Sequence, residues 1–198
     1  SHFFPGQIDE NGGGFVIDNK PFYICSNNEV WQYDLSSNSW IGLTKFPLSD
    51  LSNPVAFGFS IENVGYLAKE YENVIGLWRK NSTESSWTKL SDTPLNGSGF
   101  TAIGFEEYAY LFGGHGGVPS NQVWRYASES DSWERLPDGP FSARSKPVVF
   151  EFQQKIYVGG GVNFINGTIT YLKKITSFHG PESGQTIVKL AVISRWSR

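Results

Sequence analysis

"AYLFGGHGGVPSNQVWRYASESDSWERLPDGP", residues 109–140, decides how the chain reads. An apolar run breaks on a glycine cluster, a Tyr and then a Trp follow, and the stretch closes on a proline turn. Glycines after an apolar strand can cradle a phosphate, surround a metal at His115, or simply turn the chain. A phosphate cradle needs its loop to lead into a helix whose free N–H groups face the anion. Here the loop leads into "VPSNQVWRY", another strand. The cluster therefore reads as a turn, with glycine supplying backbone angles that other residues resist.

The same order returns along the chain. "VWQYDLSSNSW" (30–40), "GLWRKNSTESSW" (76–87) and "VWRYASESDSW" (123–133) each place two tryptophans nine residues apart. Trp31, Trp78 and Trp124 are separated by 47 and 46 residues, and Trp40, Trp87 and Trp133 keep those intervals. Pro5, Pro47, Pro94 and Pro140 follow the same march, as do Tyr23, Tyr66, Tyr110 and Tyr157. A shared order at a shared period defines a repeat, and repeats of this length build solenoids, propellers or arrays.

Each unit reads as four strands. In the third, "TAIGF" (101–105) and "YAYLF" (108–112) are nearly all apolar, as in strands covered on both faces. "VWRY" (123–126) and "WERL" (133–136) follow, the last half polar as suits an outer edge. Between them "ASESDS" is a turn of residues that bond their own backbone. A lone four-stranded sheet cannot bury both faces, whereas sheets set radially cover one another. The expected fold is all-β, a β-propeller of four-stranded antiparallel blades with about four repeats, complete or part of a larger ring. The units run approximately 6–47, 48–94, 95–140 and 141–180. Residues 1–5 are expected as a closing strand, with residues 1–4 beside the last blade, and 181–198 as a strand-like tail of unassigned place.

The order apolar strand, Gly-Gly, Tyr, six residues, Trp resembles the kelch repeat. Gly113-Gly114, Tyr126 and Trp133 match it fully. The first unit keeps Tyr33 and Trp40 but has Ser26-Asn27 at the diglycine. The second keeps Trp87, with Lys69-Glu70 at the diglycine and Lys80 at the Tyr. The fourth has Gly160-Gly161 and loses Tyr and Trp. The resemblance covers about residues 4–165, and "FSIENVGYLAKEY" (59–71) is similar to bacterial members. It implies the fold and leaves function open, because kelch propellers include adaptors, glycan-related enzymes and oxidases.

Bulk properties narrow the partners. The 198 residues carry a net charge of −3 with 16% aromatic and 18% charged side chains, and no Lys/Arg block appears. Nucleic acid is therefore not expected as a partner. No apolar run reaches the length of a membrane helix, so no membrane insertion is expected. Cys25 stands alone, so no internal disulfide forms. A secreted or periplasmic location is the expectation, with the cytoplasm as the alternative.

Positions that repeat hold the fold, and those that vary in loops are candidates for function. The expected second-to-third-strand loops are 25–29, 68–76, 113–122 and 159–168; those between blades are 47–54, 94–100 and 140–147. From these come the ligand-binding candidates Tyr71, His115, Asn121, Arg144, Lys146 and Asn163. Arg144, in "PFSARSKP", matches a loop position where kelch propellers present an Arg, whose guanidinium offers a fork to a carboxylate. Tyr71, Phe100, Phe141 and Phe164 are the aromatics off the repeat. His2, His115 and His179 have no ligand spacing, so no metal and no cofactor are expected. Galactose oxidase resembles this fold and holds copper with two Tyr and two His, one Tyr cross-linked to Cys. Here no pair of His completes such a site, and Cys25 in "FYICS" reads as a buried thiol. The expected function is non-catalytic recognition of a protein or glycan at the loop face. The alternative is an enzyme similar to the sialic-acid mutarotases, with Glu70 and Arg144 as its catalytic pair.

Overall fold

The computed structural model describes residues 3–6, 12–48, 55–72, 74–165, 168–172 and 174–178. All regular structure among them is β-strand. The first sheet runs β1 (Gly13–Ile17), β2 (Lys20–Ile24), β3 (Val30–Asp34), β4 (Ser39–Leu43). The second comprises β5 (Val55–Ile61), β6 (Val64–Tyr71), β7 (Val74–Lys80) and the two-residue β8 (Thr88–Lys89). The third holds β9 (Ser98–Phe105), β10 (Tyr108–His115), β11 (Val123–Ala127) and β12 (Ser132–Leu136). In each, neighbours in sequence are neighbours in the sheet. The fourth contains β13 (Val148–Phe152), β14 (Lys155–Gly159) and β17 (Ile175–Phe178), with the hairpin β15 (Val162–Ile165) and β16 (Thr168–Tyr171) inserted before β17. The fold is all-β, with the antiparallel blades of a four-bladed β-propeller.

The glycine pair dictates where a strand turns. Gly113 and Gly114 hold φ of 72° and 83°, and a Cβ on Gly113 would stand 2.6 Å from the Arg144 carbonyl oxygen. Such angles and such closeness admit glycine alone. In the second sheet Lys69 and Glu70 occupy the pair, and no turn is available there. The strand instead runs on to Tyr71, and β6 pairs with β7 in register from Gly65↔Lys80 to Tyr71↔Val74. The expected loop 68–76 is thus mostly strand. The expected loop 159–168 likewise holds β15 and the start of β16.

The chain forms two compact units, one of residues 1–96, 106–109 and 126–133, the other of 97–105, 110–125 and 134 onward. The first, second and fourth sheets carry a face with a cross-strand ring pair seven residues apart, and the first three carry a Trp or Tyr on their third strand. In the first unit, Phe15 and Phe22 stack at 5.3 Å, and Trp87 sets its edge on Phe15 at 5.6 Å. Phe59 and Tyr66 stack at 4.9 Å beneath Tyr126, which is 6.1 and 5.7 Å away, and Trp133 lies 6.5 Å from Phe57. Phe15, Phe59, Tyr66 and Tyr126 are all buried as a result. Each such side chain contributes roughly 1.5–3 kcal/mol by leaving water. In the second unit, Phe178 covers Tyr110 and Phe112 at 5.6 and 5.2 Å.

Phe4 shows the repeat's phase. It sits 5.8 Å from Trp31 and 4.9 Å from Trp40, as Phe46 sits 5.2 and 5.1 Å from Trp78 and Trp87. Phe3 to Pro5 belong to no strand, and Phe4 packs on the first sheet rather than extending the last. Ser1, His2 and the tail 181–198 lie outside the described residues.

Candidate binding site

Arg144 is fully buried. Its Nε donates to the Ser142 carbonyl at 2.9 Å, and Nη1 to the carbonyls of Gly160 at 3.0 Å and Lys174 at 3.3 Å. Nη2 donates to Ser142 Oγ at 3.2 Å, and the guanidinium lies 5.2 Å from the Phe141 ring centre. Burial pulls its pKa down, yet a guanidinium stays charged in proteins. A buried cation is tolerated only where acceptors surround it. Arg144 straps its loop to the segments after β14 and before β17, so the fork expected to meet a carboxylate faces carbonyl groups instead.

Its neighbours gather in one patch of the second unit. His115 Nδ1 is 3.0 Å from Oγ of the buried Ser145, and its ring meets Phe164 edge-on at 6.1 Å. Lys146 is exposed, at φ 51°, and its N–H donates to the Gly99 carbonyl at 2.7 Å. Asn163 Oδ1 accepts from Phe164 N at 2.7 Å on β15. Asn121 is partly spent on the chain itself, donating from Nδ2 to the Gly139 carbonyl at 3.4 Å while its own carbonyl accepts from Gly139 N. Of the aromatics off the repeat, Phe100 and Phe141 are buried and Phe164 is exposed.

Glu70 and Tyr71 belong to the first unit, at the end of β6. Tyr71 donates to Asp92 Oδ1 at 2.8 Å, packs on Trp78 at 5.4 Å and lies beneath the Lys89 ammonium at 5.0 Å. Lys69 is fully buried and donates to the Ser26 carbonyl at 3.0 Å. Cys25 is buried and in no disulfide. Among the described residues no three His, Cys, Asp or Glu side chains gather as a metal ligand set, and no helix is long and apolar enough to cross a membrane.

A concave site lies elsewhere in the first unit. A cavity of about 280 Å³ has Phe22, Val30 and Trp87 among its apolar walls, with Lys45, Ser85 and Ser86 among its polar ones. Lys80 also lines it, its ammonium bonded to the Glu84 carbonyl.

Residues 97–140 match the family model of the Kelch motif. The third repeat carries a Kelch motif. No curated protein matches it.

The kelch pattern explains the cavity. In the third repeat Tyr126 packs against Trp133 at 4.8 Å, and in the first Tyr33 packs against Trp40 at 5.1 Å. The second repeat has Lys80 at that position. The Lys80 chain ends on the Glu84 carbonyl and supplies no ring against Trp87, and both residues line the cavity. Trp87 was legible in the sequence as a packing residue only; the missing Tyr at Lys80 was the signal for a cavity beside it.

Proposed function

We propose that this kelch chain is a non-catalytic recognition module that binds a glycan, seating one sugar ring in the cavity beside Trp87. The observation that carries the reading is the cavity at the one described Trp–Tyr position where Lys80 replaces the ring. Trp and Phe walls suit the C–H face of a sugar, and Lys45, Ser85 and Ser86 offer hydrogen-bonding groups for its hydroxyls. The volume is near the lower end of the roughly 300–1,000 Å³ of small-molecule sites, which suits a single ring. Net hydrogen bonds of about 0.5–1.5 kcal/mol each then give weak affinity per site. Glycans displayed outside the cytoplasm are in keeping with a secreted or periplasmic location.

A glycan array, followed by titration of each positive sugar against Trp fluorescence, tests this. Saccharide binding that Lys80→Tyr abolishes without lowering the melting temperature supports it. Absence of saccharide binding, or binding indifferent to Lys80→Tyr, contradicts it. The mutarotase alternative would need Arg144 released from its carbonyl partners, and anomer turnover by the protein would favour it.

A further inference from the structure

The cavity beside Trp87 has charged walls of one sign. Among the described residues that line it, Lys45 and Lys80 carry charge, Thr44, Ser85 and Ser86 carry hydroxyls, and there is no Asp or Glu. That runs against the chain as a whole, whose net charge is −3. The aromatic part of the wall is held firmly. Trp87 meets Phe15 at 5.6 Å and Phe46 at 5.1 Å in edge contacts, and Phe22 stacks on Phe15 at 5.3 Å. All of these residues belong to the first compact unit.

The carboxylate next to Lys80 in the fold is already engaged. Lys80 donates to the Glu84 main-chain carbonyl, while the Glu84 carboxylate serves others: Oε1 lies 3.7 Å from Arg79 Nη2, and Oε2 accepts from Asn81 N–H at 3.0 Å. Arg79 is thereby matched, as is Lys89, which meets Asp92 at 2.7 Å. Lys80 is not. An ammonium has three N–H donors and accepts nothing, so one bond to a neutral carbonyl leaves its charge uncompensated and two donors over. Lys45 is exposed and, among the described residues, makes no hydrogen bond or ion pair. Two like charges bordering one recess repel, and a ligand that brings negative charge relieves that repulsion.

We infer that the sugar taken by this cavity is anionic, a ring bearing one carboxylate or sulfate group that pairs with Lys45 and Lys80. The inference rests on the saccharide reading of the cavity and adds the substrate class. A lysine ammonium is a compact point charge on a flexible stem, so it accepts either acid group, in a charge-assisted bond roughly twice as strong as a neutral one. Trp87 then takes the ring, and the hydroxyls of Thr44, Ser85 and Ser86 are left for those of the sugar.

Titration of the full chain with matched methyl glycosides, read by Trp fluorescence, tests this. The glucoside, galactoside and mannoside are each compared with the corresponding uronic acid and sulfate ester. At least one acidic member should bind about tenfold tighter than its neutral parent, and the preferred member tells carboxylate from sulfate. Raising the salt from about 0.05 to about 0.5 M should remove most of that advantage, because partly exposed charges are screened. Lys45→Gln, at an exposed side chain, should lower the ratio of acidic to neutral affinity about tenfold, and Lys45→Arg should keep it. Lys80→Gln should lower the same ratio. Equal binding of acidic and neutral members, or a ratio that neither Lys45→Gln nor Lys80→Gln lowers, overturns the anionic class and leaves the saccharide reading standing. Binding of no member at all overturns both.

Discussion

The second and fourth sheets begin alike and end differently. Both stack a Phe on a Tyr seven residues on, at 4.9 and 5.4 Å and within 11° of parallel. Tyr66 is buried and its pKa is raised, chiefly by that burial; Tyr157 is half-buried, and its partner Phe150 is open to water. The difference lies in the neighbour. Tyr126 and Trp133 lie on the second sheet, and no described ring lies on the fourth. A repeat therefore specifies the surface of each sheet, while burial is conferred by the next repeat, as expected where stability is a sum of units and their interfaces.

The largest way to break the comparison is to remove the cover. Tyr126→Ala should cost about 3–5 kcal/mol, the range for a large buried aromatic, read from urea unfolding; Trp133→Ala, at a half-buried ring, should fall below that. Arg144→Ala should cost about 3 kcal/mol, because carbonyls of Ser142, Gly160 and Lys174 lose their donor, at about 1–3 kcal/mol for a buried polar group left unsatisfied. An Arg144→Ala protein of unchanged stability would show that those bonds do little. Lys80→Tyr sharpens the comparison from the other side, giving the second repeat the ring of the third. It should stabilise by about 1 kcal/mol, as cavity filling commonly does, and a lower melting temperature would contradict the packing argued for that position.

The smallest effect concerns pH. Hydrogen bonds from the side chains of Ser37 and Ser36, then from Ser36 N–H, hold the Asp34 carboxyl down at about 2, below its ordinary 3.8. The folded value is the lower one, so its contribution is fully present above pH 3.8 and fades as pH falls toward 2. Carboxyl-carbon NMR should show the Asp34 midpoint near 2, and Ser37→Ala should move it up.

Much of the fold was legible because its marks are local. Paired Trp, Tyr and Pro at one period located the sheets, and the third repeat's four strands fall within a few residues of their sequence reading. Lys69-Glu70 was visible as a departure from Gly-Gly, but its consequence needed a conformational argument: without positive φ the strand cannot turn and β6 runs on. The hairpin β15–β16 was read as a loop although Asn166-Gly167 is a strong hairpin signal. Site residues were harder. Arg144 is a loop Arg in sequence, and its acceptors on Gly160 and Lys174 lie 16 and 30 residues away, at separations no local pattern encodes. Lys80 looked like an imperfect repeat, and only the packing of Trp87 reveals the space it leaves.

The most direct test of the central claim is the paired unfolding of Phe59→Ala and Phe150→Ala. The account predicts about 3–5 kcal/mol for the covered Phe59 and a clearly smaller loss for Phe150, whose ring is 41% exposed. Equal losses at the two positions would contradict it, because burial would then follow from the sheet itself and not from its neighbour.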